Sequence, residues 1–195
     1  LEAMLGDEHA NVLWDISQES VDLVRNLSAD MDDCGVVDGI IHTAHRERYV
    51  SEEHSYTDHL RDKYGYDKIQ NLSREETREL VNSPAYYGAT LDMGAGHIDP
   101  LRYALGLGRK CVDLGVSIYE QSKVIDVQSG DPAVIKTESG SVRAKFVVLA
   151  CNGYLGNLNS RVAARVMPIN NFIIATEPMS KDAQEALIKN NHAVA

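Results

Sequence analysis

The sequence predicts a mixed α/β and α+β fold, and three observations support this prediction. Up to about His97, stretches with helical apolar spacing alternate with only a few β-branched runs. From there the order changes to a helix, a short strand, a hairpin and a further strand. That further strand, residues 146–150, is a continuous apolar run of the kind found in strands buried on both faces of a sheet.

The first half of the chain predicts two helices around one strand. Apolar residues recur at helical spacing over residues 7–32, and Gly35 is a suitable C-cap for that helix. Residues 36–44 are β-branched and apolar, which is typical of a strand. Residues 51–64 indicate a second helix that ends at Gly65.

Capping signals locate the next two helices. Ser73 and Glu76 form a capping box for a helix that runs to about Val81. Residues 85–93 predict a strand or hairpin arm, and residues 94–100 predict a turn. Asp99 is then a suitable N-cap, with Pro100 at the first position of a helix that closes at residues 114–115.

The second half predicts short strands separated by turn residues. The turns are residues 129–132 and 138–140, which are rich in Gly, Ser, Asp and Pro. The predicted strands are residues 116–119, 123–127, 133–137, 141–143, 146–150 and 171–176. A helix is expected over residues 180–190.

Composition excludes several classes of function. The net charge of -10 argues against a nucleic-acid partner, because phosphate neutralisation needs clustered Lys and Arg. No apolar run approaches the roughly 20 residues of a membrane span. The three cysteines form no CxxC pair, and an odd count without a signal peptide indicates a cytoplasmic protein. His42 and His45 point to opposite faces of a strand, so no metal site is expected.

Five motifs in order resemble the D-amino-acid oxidase (DAO) superfamily of flavoproteins. They are GHIDP (residues 96–100), GVSI (115–118), KVIDV (123–127), IKTESG (135–140) and VVLACNG (147–153). RVMP (165–168) and IATEP (174–178) are similar to the return strand of that family's substrate domain. Within the family the chain most resembles gamma-glutamylputrescine oxidoreductase-like enzymes. The matched motifs cover roughly the C-terminal half.

The resemblance implies part of a Rossmann-like FAD/NAD(P)-binding domain and part of an antiparallel-sheet substrate domain. The cofactor-binding portion is expected at residues 97–155. The substrate domain is expected at residues 1–96, with a return strand and helix at residues 156–195.

The resemblance also implies which residues meet FAD. The backbone of Val124 would meet the adenine ring, and a β-branched residue keeps such a strand straight. Ala150, Cys151, Asn152 and Gly153 follow the apolar run, where ligands bind beyond strand ends and small residues allow close approach. The alternative is that Val124 and Ala150 are ordinary sheet core. His97 and Tyr86 are candidates for lining the substrate site, although an exposed turn histidine and a packed tyrosine are alternatives. No catalytic residue is assigned.

The G-x-G-x-x-G loop that cradles a pyrophosphate is absent from the sequence. Gly106 and Gly108 imitate its first half but stand inside a predicted helix. We therefore expect the chain to be an internal fragment that lacks the N-terminal loop and the C-terminal segment. Alone, it would be inactive and would bind FAD weakly or not at all.

Two functions remain open from the sequence. The first is a fragment of an enzyme that oxidises the C–N bond of a small amine, gamma-glutamyl amine or amino acid by hydride transfer to FAD. The second is a non-catalytic α+β binding or interaction domain. We also expect self-association, because missing partners for residues 146–150 would leave apolar edges exposed.

Overall fold

The computed structural model describes residues 2–31 and 34–195 and confirms the mixed fold. The chain divides into two compact units, one formed by Leu1–Gly115 with Thr176–Ala195 and one formed by Val116–Ala175. The first unit contains a mixed four-stranded sheet with helices, and the second contains a three-stranded antiparallel sheet. The assignment of residues 1–96, 97–155 and 156–195 to cofactor and substrate domains stays a prediction.

The helices of the first unit begin and end close to their sequence signals. They are α1 (Glu2–Leu5), α2 (Asp7–Ser28), α3 (Glu47–Tyr64), α4 (Arg74–Leu80), α5 (Pro100–Asp113) and α7 (Lys181–Leu187). Helix α2 ends before the predicted limit at residue 32, and residues 32 and 33 lie outside the described residues. Gly65 closes α3 in a left-handed conformation with φ 63°, as a C-terminal glycine allows.

Two caps confirm the sequence predictions. The Ser73 hydroxyl accepts a bond from the Glu76 backbone, and the Glu76 carboxylate accepts one from the Ser73 backbone. The Asp99 carboxylate accepts a bond of 2.9 Å from the Arg102 backbone, with Pro100 at the first helical position. These bonds satisfy backbone N–H groups that have no partner within the helix.

The first unit has a four-stranded sheet in the order β2-β3-β1-β7. Its strands are β1 (Val37–Thr43), β2 (Ile69–Leu72), β3 (Ala89–His97) and β7 (Ala193–Val194). The pairings of β3 with β1 and β2 are antiparallel, and β1 with β7 is parallel. Buried apolar side chains form the core on one face: Ile41, Leu72, Val81, Ala89 and Leu91.

The prediction of a turn at residues 94–96 was wrong, because β3 continues through them to His97. Gly96 pairs with Asp38 across the strands, and a Cβ at Gly96 would overlap the carbonyl oxygen of Val37. The glycine therefore permits close approach of two backbones rather than a reversal of the chain.

The second unit contains three antiparallel strands in the order β4-β5-β6. They are β4 (Val124–Gln128), β5 (Ala133–Thr137) and β6 (Ser141–Ala144), which confirms the predicted hairpins. The register passes through Val127↔Ile135 and Ile135↔Val142, with an irregularity between Val124 and Asp126. A short helix, α6 (Ser160–Ala163), follows.

Three predicted strands of the second unit do not form: residues 116–119, 146–150 and 171–176 have no strand partner in the described part of the chain. Instead of being buried, Phe146 is 88% exposed, Val148 is 86% exposed and Ile173 is 94% exposed. An apolar run becomes a buried strand only when neighbouring strands pair with it. The exposed surface supports the expected self-association, which stays a prediction.

No helix in the described ranges is long and apolar enough to cross a membrane.

Candidate functional site

A cavity of about 350 Å³ lies between one face of the four-stranded sheet and the helices α2 and α3. The face is the one opposite Ile41 and Leu91, since side chains alternate along a strand. The cavity is lined by Trp14 and Gln18 from α2, by Glu53, Tyr56 and Leu60 from α3, and by Tyr66, Ile69, His42, Thr90 and Asp92 from the sheet side. We call it the sheet cavity.

The polar side chains of the sheet cavity lie in two rows of cross-strand neighbours. Thr90 of β3 pairs with His42 of β1 and with Asn71 of β2, so the three form one row across the sheet. Asp92 pairs with Ile40 and Ile69 in the next row along the same face. Cross-strand neighbours of this kind have Cβ atoms about 4.5–5.5 Å apart.

Tyr66 and Asp92 form the best-defined hydrogen bond of the sheet cavity. The Tyr66 hydroxyl donates to the Asp92 carboxylate at 2.6 Å, and the same oxygen accepts from the Gly94 backbone at 2.8 Å. Burial, together with the Asp92 acceptor, raises the pKa of Tyr66 well above its ordinary value. A side chain at Gly94 would overlap the Tyr66 hydroxyl, so glycine at this position allows the contact.

Aromatic rings form one wall of the sheet cavity. The ring of Trp14 stacks on Tyr64 with centroids 4.5 Å apart, and it meets Tyr66 edge-on at 5.3 Å. Both arrangements match the preferences of aromatic quadrupoles. The rings thereby fix helix α2 against α3 and the strand that follows Tyr66.

His97 lines a second cavity, of about 300 Å³, with Val21, Val24, Val36 and Ile98 among its walls. The His97 imidazole lies 2.7 Å from the carbonyl oxygen of Asn191, so it is not a free turn histidine. This placement supports the substrate-lining prediction for His97, which stays a prediction.

Tyr86 lies elsewhere, packed against the core cluster of Ile41, Leu72 and Leu91. It is half-buried. Packing accounts for its position, and its substrate-lining role stays a prediction.

In the second unit, Val124 begins β4, which is an edge strand paired only with β5. The outer edge of β4 therefore presents backbone N–H and C=O groups without a strand partner in the described structure. Such groups are the donors and acceptors that the adenine ring of FAD would require. Val124 is half-buried, and its contact with the adenine ring stays a prediction.

Ala150, Cys151, Asn152 and Gly153 lie in the irregular chain and short 3₁₀ turn after residues 146–149, and not at the end of a strand. Asn152 adopts a left-handed φ of 48°, and a Cβ at Gly153 would meet open space. Nothing in the local packing demands glycine at position 153. Their predicted cofactor contact stays a prediction.

The N-termini of α3, α4 and α5 do not form a cradle for the pyrophosphate of FAD. At the three described strand-to-helix connections of the first unit, a carboxylate already lies in the first turn or at the N-cap of the helix. Glu47 opens α3, Glu76 closes the capping box of α4, and Asp99 caps α5. A carboxylate at that position would repel a second anion. The free edge of β4 offers backbone groups for the adenine end of FAD, and the N-termini of α3, α4 and α5 do not fit its pyrophosphate.

No group of three or more His, Cys, Asp or Glu side chains in the described ranges is placed to hold a metal ion. The cysteines Cys34, Cys111 and Cys151 are free thiols. The sequence prediction missed Thr90, Asp92 and Tyr66 as neighbours. The alternation along residues 89–92 was the available signal, since it places Thr90 and Asp92 on one face.

Comparison with known proteins gives a match over nearly the whole chain. The family model described as FAD dependent oxidoreductase (DAO) matches residues 3–194. The probable oxidoreductase OrdL of Haemophilus influenzae is 31% identical over 97% of this chain and 46% of its own length. Gamma-glutamylputrescine oxidoreductase of Escherichia coli is 31% identical over 100% of this chain and 46% of its own length. The chain thus spans about half the length of these curated relatives.

Solved structures agree at the level of the fold. Glycine oxidase from Geobacillus kaustophilus matches with a TM-score of 0.61 at 24% identity, covering 76% of this chain and 41% of that one. L-proline dehydrogenase from P. horikoshii matches with a TM-score of 0.63 at 18% identity, covering 75% and 40%. Together with the sequence motifs and the family match, these likenesses lead to one conclusion. The chain belongs to the DAO family of FAD-dependent oxidoreductases.

Proposed function

We propose that this chain is part of a flavoenzyme that oxidises the C–N bond of a small amine, a gamma-glutamyl amine or an amino acid. The family match over residues 3–194 carries the proposal. The similarity of the whole chain to 46% of gamma-glutamylputrescine oxidoreductase supports an amine as the substrate. FAD, when bound, supplies the acceptor for the hydride.

The residues of this chain would bind and orient the cofactor and the substrate, and they would not themselves react. The free edge of β4 at Val124 would hold the adenine end of the cofactor through backbone groups. The first unit would supply substrate contacts from the cavities that contain His97 and Asp92. The pyrophosphate would be held by residues other than those described.

Turnover by the flavin-loaded protein that carries this chain tests the proposal. We expect oxidation of at least one primary or secondary amine, measured as peroxide formation or as reduction of an artificial acceptor. The matched control is the alcohol or 2-hydroxy acid of the same carbon skeleton, which should not react. Equal rates with amine and hydroxyl compounds would contradict C–N specificity.

The second candidate is a non-catalytic α+β binding domain. The carboxylates at the N-termini of α3, α4 and α5 favour it, because they disfavour binding of a dinucleotide phosphate at those three positions. A flavin-loaded protein that oxidises none of the amines or amino acids, yet binds one of them, would favour this alternative over the enzyme.

A further inference from the structure

We propose that Asn152 is a site of spontaneous chemical modification, in which its side-chain amide becomes a carboxylate through a cyclic imide formed with Gly153. Asn152 and Gly153 lie in the exposed 3₁₀ turn of the second unit. The reaction needs only the chain itself and water. It goes beyond the proposed function, because it depends neither on a cofactor nor on turnover.

The residue that follows Asn152 favours the reaction. Imide formation requires the backbone nitrogen of the next residue to reach the side-chain carbonyl carbon of the asparagine, and a side chain on that next residue hinders the approach. Asn152 is the only asparagine in the sequence that is followed by glycine. Two others, Asn82 and Asn159, are followed by serine. The sequence therefore predicts that Asn152 reacts fastest.

The local conformation leaves the two reacting groups unhindered. Asn152 and Gly153 are the central residues of a turn that the Tyr154 N–H closes by donating to the carbonyl oxygen of Cys151 at 2.9 Å. Asn152 adopts a left-handed φ of 48°, which glycine adopts without cost and asparagine tolerates in turns. Both residues are exposed, and a Cβ at Gly153 would meet open space. The packing therefore leaves room for the change of geometry that ring closure requires.

Hydrogen bonding separates Asn152 from the two asparagines that precede serine. The Asn82 amide donates to the carbonyl oxygen of Ala186 at 3.0 Å. The Asn159 side chain accepts from the Val162 backbone at 3.1 Å as the N-cap of α6. These bonds hold both side chains in place. The Asn152 side chain forms no hydrogen bond with described residues, so it can rotate toward the attacking nitrogen.

The bonds of the reaction balance without an oxidant or a metal. The Gly153 backbone nitrogen loses its proton and attacks Cγ of Asn152, so that an N–C bond forms, the Cγ–Nδ2 bond breaks and ammonia leaves. Water then opens the imide at one of its two carbonyl carbons. Attack at Cγ gives aspartate. Attack at the backbone carbon gives isoaspartate, in which the chain continues through the former side chain.

The conversion changes charge and backbone at a predicted cofactor contact. It adds one negative charge to a chain whose net charge is already -10. The new carboxylate would stand among residues 150–153, which are predicted to contact FAD, and it would repel the cofactor's phosphates. Isoaspartate also lengthens the backbone of the turn by one methylene group. This consequence for the cofactor rests on the proposed function, whereas the conversion itself does not.

Peptide mapping of the folded full chain by mass spectrometry provides the test. At mildly alkaline pH, the peptide that contains Asn152 should gain the mass of an amide-to-acid conversion and should separate into aspartate and isoaspartate forms. The conversion should slow at mildly acidic pH, because the attacking nitrogen must lose its proton. Asn171 is the internal control, since it is exposed but is followed by Phe172, and it should convert more slowly by about tenfold or more.

A variant assigns the reaction to the pair of Asn152 and Gly153. In Gly153→Ala the added Cβ meets open space, so the variant should fold, but it hinders the attacking nitrogen and should slow conversion by about tenfold. Gly140→Ala is the matched control, because a Cβ at Gly140 also meets open space and no asparagine precedes it. This second variant should convert at the native rate. Circular dichroism confirms that both variants are folded.

The proposal is overturned if the Asn152 peptide keeps its mass, or if it yields aspartate alone, because direct hydrolysis of the amide gives no isoaspartate. It is also overturned if Asn171 converts as fast as Asn152, or if Gly153→Ala converts at the native rate. Conversion that is much faster in urea than in the folded chain would contradict it as well, because that result would show that the fold protects the turn.

Discussion

At the scale of single residues, Glu2 is a carboxylate whose pKa is strongly lowered. It accepts bonds from the Tyr64 hydroxyl at 2.7 Å and from His59 at 2.9 Å, and it pairs with Lys63. These partners, with Tyr64 the strongest, lower the pKa of Glu2 from 4.5 to about 2. The ionised form of Glu2 therefore ties α1 to the C-terminal end of α3.

This lowered pKa predicts a dependence of stability on pH. A carboxylate whose pKa is lower in the folded state stabilises the fold above its unfolded pKa, and that contribution is lost as it becomes protonated. The free energy of unfolding should therefore decrease as the pH is lowered from 4.5 to about 2. In Glu2→Gln this part of the decrease should be absent. Urea denaturation at several pH values measures this difference.

Glu19→Gln is a suitable control for the pH experiment. Glu19 is exposed on α2 and has no ion pair with described residues, so its loss should leave the pH dependence unchanged. The account of Glu2 is wrong if Glu2→Gln and the native chain lose stability in parallel over the whole acid range.

Only some residue contacts could be predicted from the sequence. Ser73 with Glu76, and Asp99 with the Arg102 backbone, lie three residues apart, so a local pattern was sufficient. Tyr66 and Asp92 are 26 residues apart, and their contact depends on the register of β2 against β3. Long-range pairs of this kind follow from the sheet and not from spacing along the chain.

At the scale of elements, helix α5 carries two glycines whose surroundings differ. A Cβ at Gly106 would overlap Met31, whereas a Cβ at Gly108 would meet open space. Glycine within a helix costs about 1 kcal/mol relative to alanine. Alanine substitutions at the two positions therefore separate the effect of helix propensity on stability from the effect of packing.

Gly108→Ala should raise the free energy of unfolding by about 0.5–1 kcal/mol, because alanine restricts the unfolded chain and fits the helix. Gly106→Ala should gain less or should destabilise, since Met31 must move. Chemical denaturation of both variants beside the native chain measures the difference. Equal stabilisation by the two substitutions would show that Met31 does not restrict position 106.

The predictions of helices and strands were correct where local sequence signals determine the element. They were wrong where the element depends on pairing with a distant segment. Helix α4 and the strands β4 to β6 were predicted from capping and turn residues. The apolar runs at residues 146–150 and 171–176 also have strand-like sequences, yet no described strand pairs with them. Apolar composition indicates that a segment prefers to be buried, but the segment forms a strand only when a neighbouring strand pairs with it.

At the scale of the whole molecule, the chain supports its family membership over nearly its full length, but it supplies only part of the expected cofactor site. The family match extends from residue 3 to residue 194. The described fold nevertheless supplies a free strand edge at Val124 and carboxylates, not an anion site, at the N-termini of α3, α4 and α5. The motifs could predict the family from the sequence because their order and spacing are local. They could not reveal the sheet cavity, because side chains from α2, α3 and three strands line it.

Anaerobic reduction of the bound flavin tests the central claim most directly. The protein that carries this chain is loaded with FAD, oxygen is removed, and the flavin absorbance is followed on addition of an amine. The account predicts loss of the oxidised flavin spectrum with the amine and an unchanged spectrum with the matched alcohol. A flavin that stays oxidised with every amine and amino acid would contradict the assignment of C–N oxidation.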